Sequence, residues 1–507
     1  MTGVMMRQGP LQHAEPETTE RVAASRRFVP FPDPPANGVQ FMPAFRSLLA
    51  SLVMALAMVT AASAPARAME PAQDEALAYA IGVQTYIAHF PLMDLYRTLW
   101  ETSFDPDRGH DRTLNAFFVF DRLITSDDDW VVTPNEDTIY SRTFFDLRAE
   151  PIILDIPPSG GRQFWIPVSD MHHDFDANLS WDTIGAGGGA FALVAPGWQG
   201  LLPAGVQRID MGTPIGWTLP RFAVNGVDDL PGAVAMQAQT RLVPLSQWGA
   251  AAVTRPQPDA ADCPRFTRAD LTDARAFFTT LNAVLRLSAR VGNPGDAAMA
   301  GWLREIGMDP ATAFDRDALS PATQAGLTRA TADAHRIIAE RMPRAVPIVN
   351  NWQAVRLDRR ISGDPSIAAA AAMLGLLWNP AEVSTYDVAF LDGAGAPFDG
   401  RNAYVLRFDP PPPVDAFWSV TMYSAETQLF VPNAIDRYSV GDRTAGTVHG
   451  ADGAIEIFLP AEEPTDPVER ANWLPAPEGP FYLVTRHYSP QAAILTGDWA
   501  PPPVARR

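Results

Sequence analysis

A chain of 507 residues exceeds what a single hydrophobic core usually supports, so two or three domains are expected. Its formal charge of −19 argues against a nucleic-acid backbone or an anionic membrane surface as partner. All 39 basic residues are arginine, which excludes Schiff-base, pyridoxal phosphate and P-loop chemistry, each of which needs a lysine amine.

Cys263 is the only cysteine, so an intramolecular disulfide, a cysteine-based zinc site and a CxxC redox centre are ruled out. Residues 42–68 carry Arg46, an apolar run from Leu48 and the small-x-small sequence Ala66-Arg67-Ala68, the pattern of a cleavable secretory signal. The chain is therefore expected in the periplasm or outside the cell, without a stable membrane anchor after cleavage. Residues 1–41 read as a proline-rich disordered leader, or as sequence ahead of a true start at Met42.

A helical segment is expected over 69–130, with Pro91 breaking or kinking a helix whose apolar residues include Leu92, Leu95, Tyr96 and Leu99. Over 131–258 the periodicity turns to short β runs separated by turn signals such as Pro157-Pro158-Ser159-Gly160-Gly161, forming a first β domain. Gly185-x-Gly187-x-x-Ala190 leads into a strand rather than a helix, so it reads as a turn and not as a dinucleotide fingerprint. Residues 259–380 form a helical block, with Ser320-Pro321 and Asp364-Pro365 as helix starts. A second β domain follows over 381–507, in which Trp418, Val420 and Met422 share one strand face. The fold class is mainly β with helical segments: two β-sandwich or jelly-roll-like domains separated by the helical block.

Three clusters could carry chemistry. Asn135, Asp137 and Tyr140 crowd a turn between apolar runs; they form either an Asx-turn or a polar pocket. There Asp137 and Tyr140 would do acid/base work and Asn135 would bind substrate. Arg437, Arg486 and Tyr488 could hold and protonate an acidic group, with Tyr488 as a third catalytic candidate. Asp170, His172 and Asp174 share one face of an extended segment and offer an alternative divalent-metal site.

Long stretches carry a family resemblance. TPNEDTIYSRTFFDLRAEPIILDIP, RQFWIPVSD and IGAGGGAFALVAPGWQGLLPAG resemble the domain-of-unknown-function family 1254. DGRNAYVLRF, PPVDAFWSVTMYS, NAIDRYSVGD and NWLPAPEGPFYLVTRHY resemble family 1214. The resemblance implies a paired β architecture in a bacterial protein and a homo-oligomer; no reaction comes with it. Where the family usually has Tyr-Thr, this chain has His172-His173. The functional expectation is an exported enzyme, a hydrolase or lyase without a cofactor, acting on a saccharide or other polyol. The alternatives are a non-catalytic periplasmic binding or envelope-assembly protein and a metal-dependent hydrolase.

Overall fold

Strand β2 (Thr138–Asp146) shows how the first β region is built. Ile139 and Phe145 face one side and Tyr140 and Phe144 the other, and both sides are buried. The computed structural model describes residues 70–107, 114–128, 133–254, 263–290, 294–376 and 378–507. The leader and signal segments expected over 1–68 lie outside the described residues.

In the first β region, one sheet has the order β1 (Phe118–Phe120), β2, β8 (Ile215–Thr218), β4 (Phe164–Asp170), β5 (Phe175–Ser180). Strand β9 (Arg221–Ala223) also pairs with β2 and β4. A second sheet runs β10 (Arg241–Pro244), β3 (Ile152–Ile156), β6 (Gly189–Val194), β7 (Val206–Asp210). The two sheets enclose a core that includes Ile139, Phe145, Leu154, Phe164, Ile166 and Leu193. The glycine-rich segment forms a turn before β6, as expected. Gly188 sits at φ +67°, where a Cβ would lie 2.2 Å from the Ile156 carbonyl oxygen.

The second β region repeats the layering. One sheet has the order β11 (Ile348–Val349), β12 (Trp352–Val355), β13 (Ser384–Ala389), β18 (Phe481–Pro490), β15 (Val414–Ser424), β16 (Ser439–Gly441). It packs on β17 (Ile455–Phe458), β14 (Tyr404–Phe408) and β19 (Ala505–Arg506). Trp418, Val420 and Met422 point together into that core, as their alternation requires. The fold is thus mainly β, with one long helix ahead of the first β region and most of the other helices between the two regions in sequence.

Helix α1 (Pro71–Leu99) is buried through its second half by those helices and by the outer sheet faces. The interruption expected at Pro91 does not occur: α1 runs through it and continues as a π-turn over Trp100–Phe104. Phe90, Leu92, Met93 and Leu95 are all buried around the proline, and this packing offsets the lost backbone bond. Helices α2 (Leu230–Gln239), α3 (Ala274–Leu287) and α4 (Pro294–Glu305) precede α5 (Pro321–Ala339) and α6 (Pro365–Gly375). Ser320 and Asp364 cap α5 and α6 as the sequence suggests.

Glycines set the approach of α1 to α5. A Cβ on Gly326 would lie 2.5 Å from the Glu75 carbonyl oxygen and 2.9 Å from Ala78 Cβ. Gly326→Ala must push the helices apart and is expected to destabilise the protein by about 1–3 kcal/mol, as overpacking does. Urea unfolding of the variant beside the parent chain measures this, and an unchanged midpoint would contradict it.

Candidate functional site

The motif ahead of β2 is shaped by Asn135. Its Oδ1 accepts from the backbone N–H of Asp137 at 3.0 Å and of Thr138 at 3.2 Å, an Asx-turn. Its Nδ2 donates to the Tyr140 hydroxyl. The following carboxylates diverge to different partners. Asp137 Oδ2 accepts from Ser419 Oγ at 2.8 Å, and Arg443 Nη2 lies 3.6 Å from Asp137 Oδ1. Glu136 Oε1 accepts from Ser439 Oγ at 2.7 Å and from the Tyr438 N–H at 3.2 Å.

Arg486 closes the seam from the second β region. Its Nη1 donates to Thr421 Oγ1 at 2.9 Å, and its Nη2 to the carbonyls of Thr133 at 2.9 Å and Pro134 at 3.1 Å. The Tyr423 hydroxyl donates to the same Pro134 carbonyl. Arg486 is only 3% exposed, and the surrounding phenols and Asp137 hold its guanidinium firmly charged against the opposing effect of burial. Tyr488 packs between Trp165 and Phe417, with ring centroids 5.3 and 4.3 Å away.

The structure therefore brings Asn135, Asp137, Tyr140, Arg486 and Tyr488 into one neighbourhood, but as a packed seam and not as an open cleft. Burial raises the phenols of Tyr140 and Tyr488, which suits hydrogen-bonding roles better than ionisation. Arg437 turns away: its Nη1 donates to the carbonyls of Ala471 and Trp473 at 3.1 and 3.0 Å.

The open space lies beside Glu136. A cavity of about 360 Å³ is lined by Leu123, Ile124, Thr125, Ser126, Asp127, Glu136, Asp436 and Tyr438. One wall is a loop stapled by Arg122, which donates to both oxygens of Asp128 at 2.7 Å. The other is organised by Asn433, whose Nδ2 donates to the Val431 and Arg437 carbonyls and whose Oδ1 accepts from the Arg437 N–H. Tyr438 lies flat on Phe430, ring centroids 4.6 Å apart, and its hydroxyl is 3.2 Å from both Ser126 Oγ and Asp436 Oδ1.

The bonds from Ser439 Oγ and the Tyr438 N–H both fall on Oε1, and the Ser439 backbone adds a further hydrogen bond to the carboxyl. Burial, with the Asp137 charge nearby, pushes the Glu136 carboxyl up to about 7, against the lowering effect of its Ser439 and backbone bonds. Such a group exchanges a proton near neutrality. Glu136, Ser126 and Asp436 were not among the residues singled out in the sequence, where Tyr438 figures only as the neighbour of Arg437. The available signal was local: an Asx-turn at Asn135 must throw the next two side chains in different directions.

The hairpin between β4 and β5 has a different role. Asp170 Oδ1 accepts from the N–H groups of His172 at 2.8 Å and Asp174 at 3.0 Å. Asp174 binds the N–H and Oγ of Ser362, and His172 Nε2 meets the Ser288 carbonyl at 3.2 Å. His173, at φ 64°, stacks on Trp378 at 4.7 Å. The alternative reading of Asp170, His172 and Asp174 as metal ligands gives way to this anchoring role. Each has a partner in the fold, and among the described residues no three ligating side chains converge.

Burial and the charges of Asp176 and Asp174 push the Asp170 carboxyl from 3.8 to about 8. The folded state therefore holds a proton that the unfolded chain releases, and the associated stability is lost as pH rises from about 4 to about 8. Asp170→Asn keeps the accepting oxygen and removes the titration. Its stability should lose that decline and exceed the parent's at pH 8.5; denaturant melts across the range measure it.

The comparisons agree with this layout. A family model described as "Protein of unknown function (DUF1254)" matches residues 114–244, and "Protein of unknown function (DUF1214)" matches 383–492. The crystal structure of the VPA0106 protein from Vibrio parahaemolyticus is similar at TM-score 0.65 and 26% identity, covering 85% of this chain and all (100%) of that one. An uncharacterised protein from Burkholderia cenocepacia aligns at TM-score 0.40 and 13% identity, over 85% of this chain and 94% of its own. No curated protein matches. With Glu136 inside the first match and Tyr438 inside the second, the cavity is lined by residues of both matched regions, so the chain carries a DUF1254-like segment and a DUF1214-like segment that build one site.

Proposed function

We propose that this is an exported protein, periplasmic or secreted, whose Glu136 cavity binds a hydroxylated small molecule and hydrolyses it or eliminates across it. Glu136 would be the general acid/base, and Ser126, Tyr438 and Asp436 would orient the substrate's hydroxyl groups. The observation that carries the reading is a proton-exchanging carboxyl held by Ser439 and Tyr438 at the wall of a cavity. Asp137, Tyr140 and Tyr488, together with Arg486, support this wall from the packed seam behind it. The sequence over 42–68 supports export.

The test is incubation of the purified chain with mono- and oligosaccharides and polyols, reading products by mass spectrometry and ligand-induced stabilisation by thermal melts. Products that vanish in Glu136→Gln support the reading. Stabilisation without any product would favour a binding protein instead.

A further inference from the structure

The charges around the cavity point to a narrower class of ligand. Three carboxylate side chains, Asp127, Glu136 and Asp436, line it, and among the described residues no arginine or histidine does. Arg122 is paired with Asp128, and Arg437, though its Nη1 donates to two backbone carbonyls, still interacts electrostatically with Glu136 without lining the cavity. The Ser126 and Tyr438 oxygens add acceptors, while Leu123 and Ile124 offer an apolar wall. An anionic ligand would meet the carboxylates of Asp127 and Asp436, and the chain's net charge of −19 would repel it at a distance.

Building on the proposed site, we infer that its ligand is a small hydroxylated primary amine, bound as the ammonium, with the size and polarity of an amino sugar. The ammonium has three N–H donors and no acceptor, which matches a cavity lined by the Asp127, Glu136 and Asp436 carboxyl groups and two hydroxyl oxygens. Its hydroxyl groups would meet Ser126 and Tyr438, and its carbon skeleton Leu123 and Ile124. The ammonium also favours the ionised carboxylate, so binding near neutrality expels a proton from Glu136.

Isothermal titration of the full chain at pH 6.5 with glucosamine, glucose and glucuronate, in two buffers of different ionisation enthalpy, tests this. Glucosamine should bind at least about tenfold more tightly than glucose, with glucuronate weakest, and the preference should shrink at high salt. Glucosamine binding should release protons, and Glu136→Gln should remove that release; Asp436→Asn, which removes a charge beside the ammonium, should weaken the amine by a larger factor than the neutral sugar. Equal binding of glucose, tighter binding of glucuronate, no binding of glucosamine, or calcium binding that excludes it would overturn the inference. Glucosamine bound as expected but never converted by the enzyme, nor any oligomer of it, leaves the ligand class standing and sinks only the catalytic reading. Turnover of neutral sugars alone does the reverse.

Discussion

Arg486→Ala is expected to destabilise the protein by about 3–5 kcal/mol, among the largest effects a single substitution can have. The side chain is buried, and its removal strands Thr421 Oγ1 and the carbonyls of Thr133 and Pro134, all of which it now bonds. Each is a charge-assisted bond, and the vacated volume adds a cavity term. Against a total stability of roughly 5–15 kcal/mol this is a large fraction, so the urea midpoint should fall well below the parent's. Arg486→Lys keeps the charge but not the planar fork, and should fall between the two. A loss below about 1 kcal/mol for the alanine variant would mean that the seam does not hold the two regions together.

Glu136→Gln is expected to lower turnover by about 10²–10⁴-fold, the range for removal of a general acid/base. The amide resembles the protonated acid, so the bonds from Ser439 and the Tyr438 N–H are kept. Folding should therefore survive. In the parent chain the carboxyl is raised from 4.5 to about 7, so its folded form is favoured when protonated. That contribution is complete below about 4.5 and is lost as pH rises through about 7. The variant should escape this loss and be at least as stable as the parent at pH 8. The parent's pH–rate profile should inflect near 7. A variant that unfolds at every pH would show that Glu136 is structural, and an unchanged rate would remove it from the chemistry.

Much of the fold was legible because its signals are local. Alternation in AFWSVTMY placed Trp418, Val420 and Met422 in one core, and Ser320 and Asp364 announced their helices. The Asx-turn at Asn135 was legible for the same reason, since it bonds residues two and three positions on. The cavity was not. Glu136 meets Ser439 across 303 residues of sequence, and Arg486 reaches Thr133 across 353. No periodicity reports a contact of that range. Of the break or kink expected at Pro91, the break is absent because its local cost was outweighed by the burial of its neighbours.

That separation of 353 residues also fixes an order of events as the chain is made. At 5–20 residues per second, the ribosome needs roughly 20–70 s to travel from Thr133 to Arg486. Throughout that interval Thr133 and Pro134 lack the guanidinium of Arg486 that anchors them. The environment that raises the proton affinity of Glu136 includes Tyr438 and Ser439, so a chain truncated ahead of them carries every residue of the motif without the partners that hold its carboxyl.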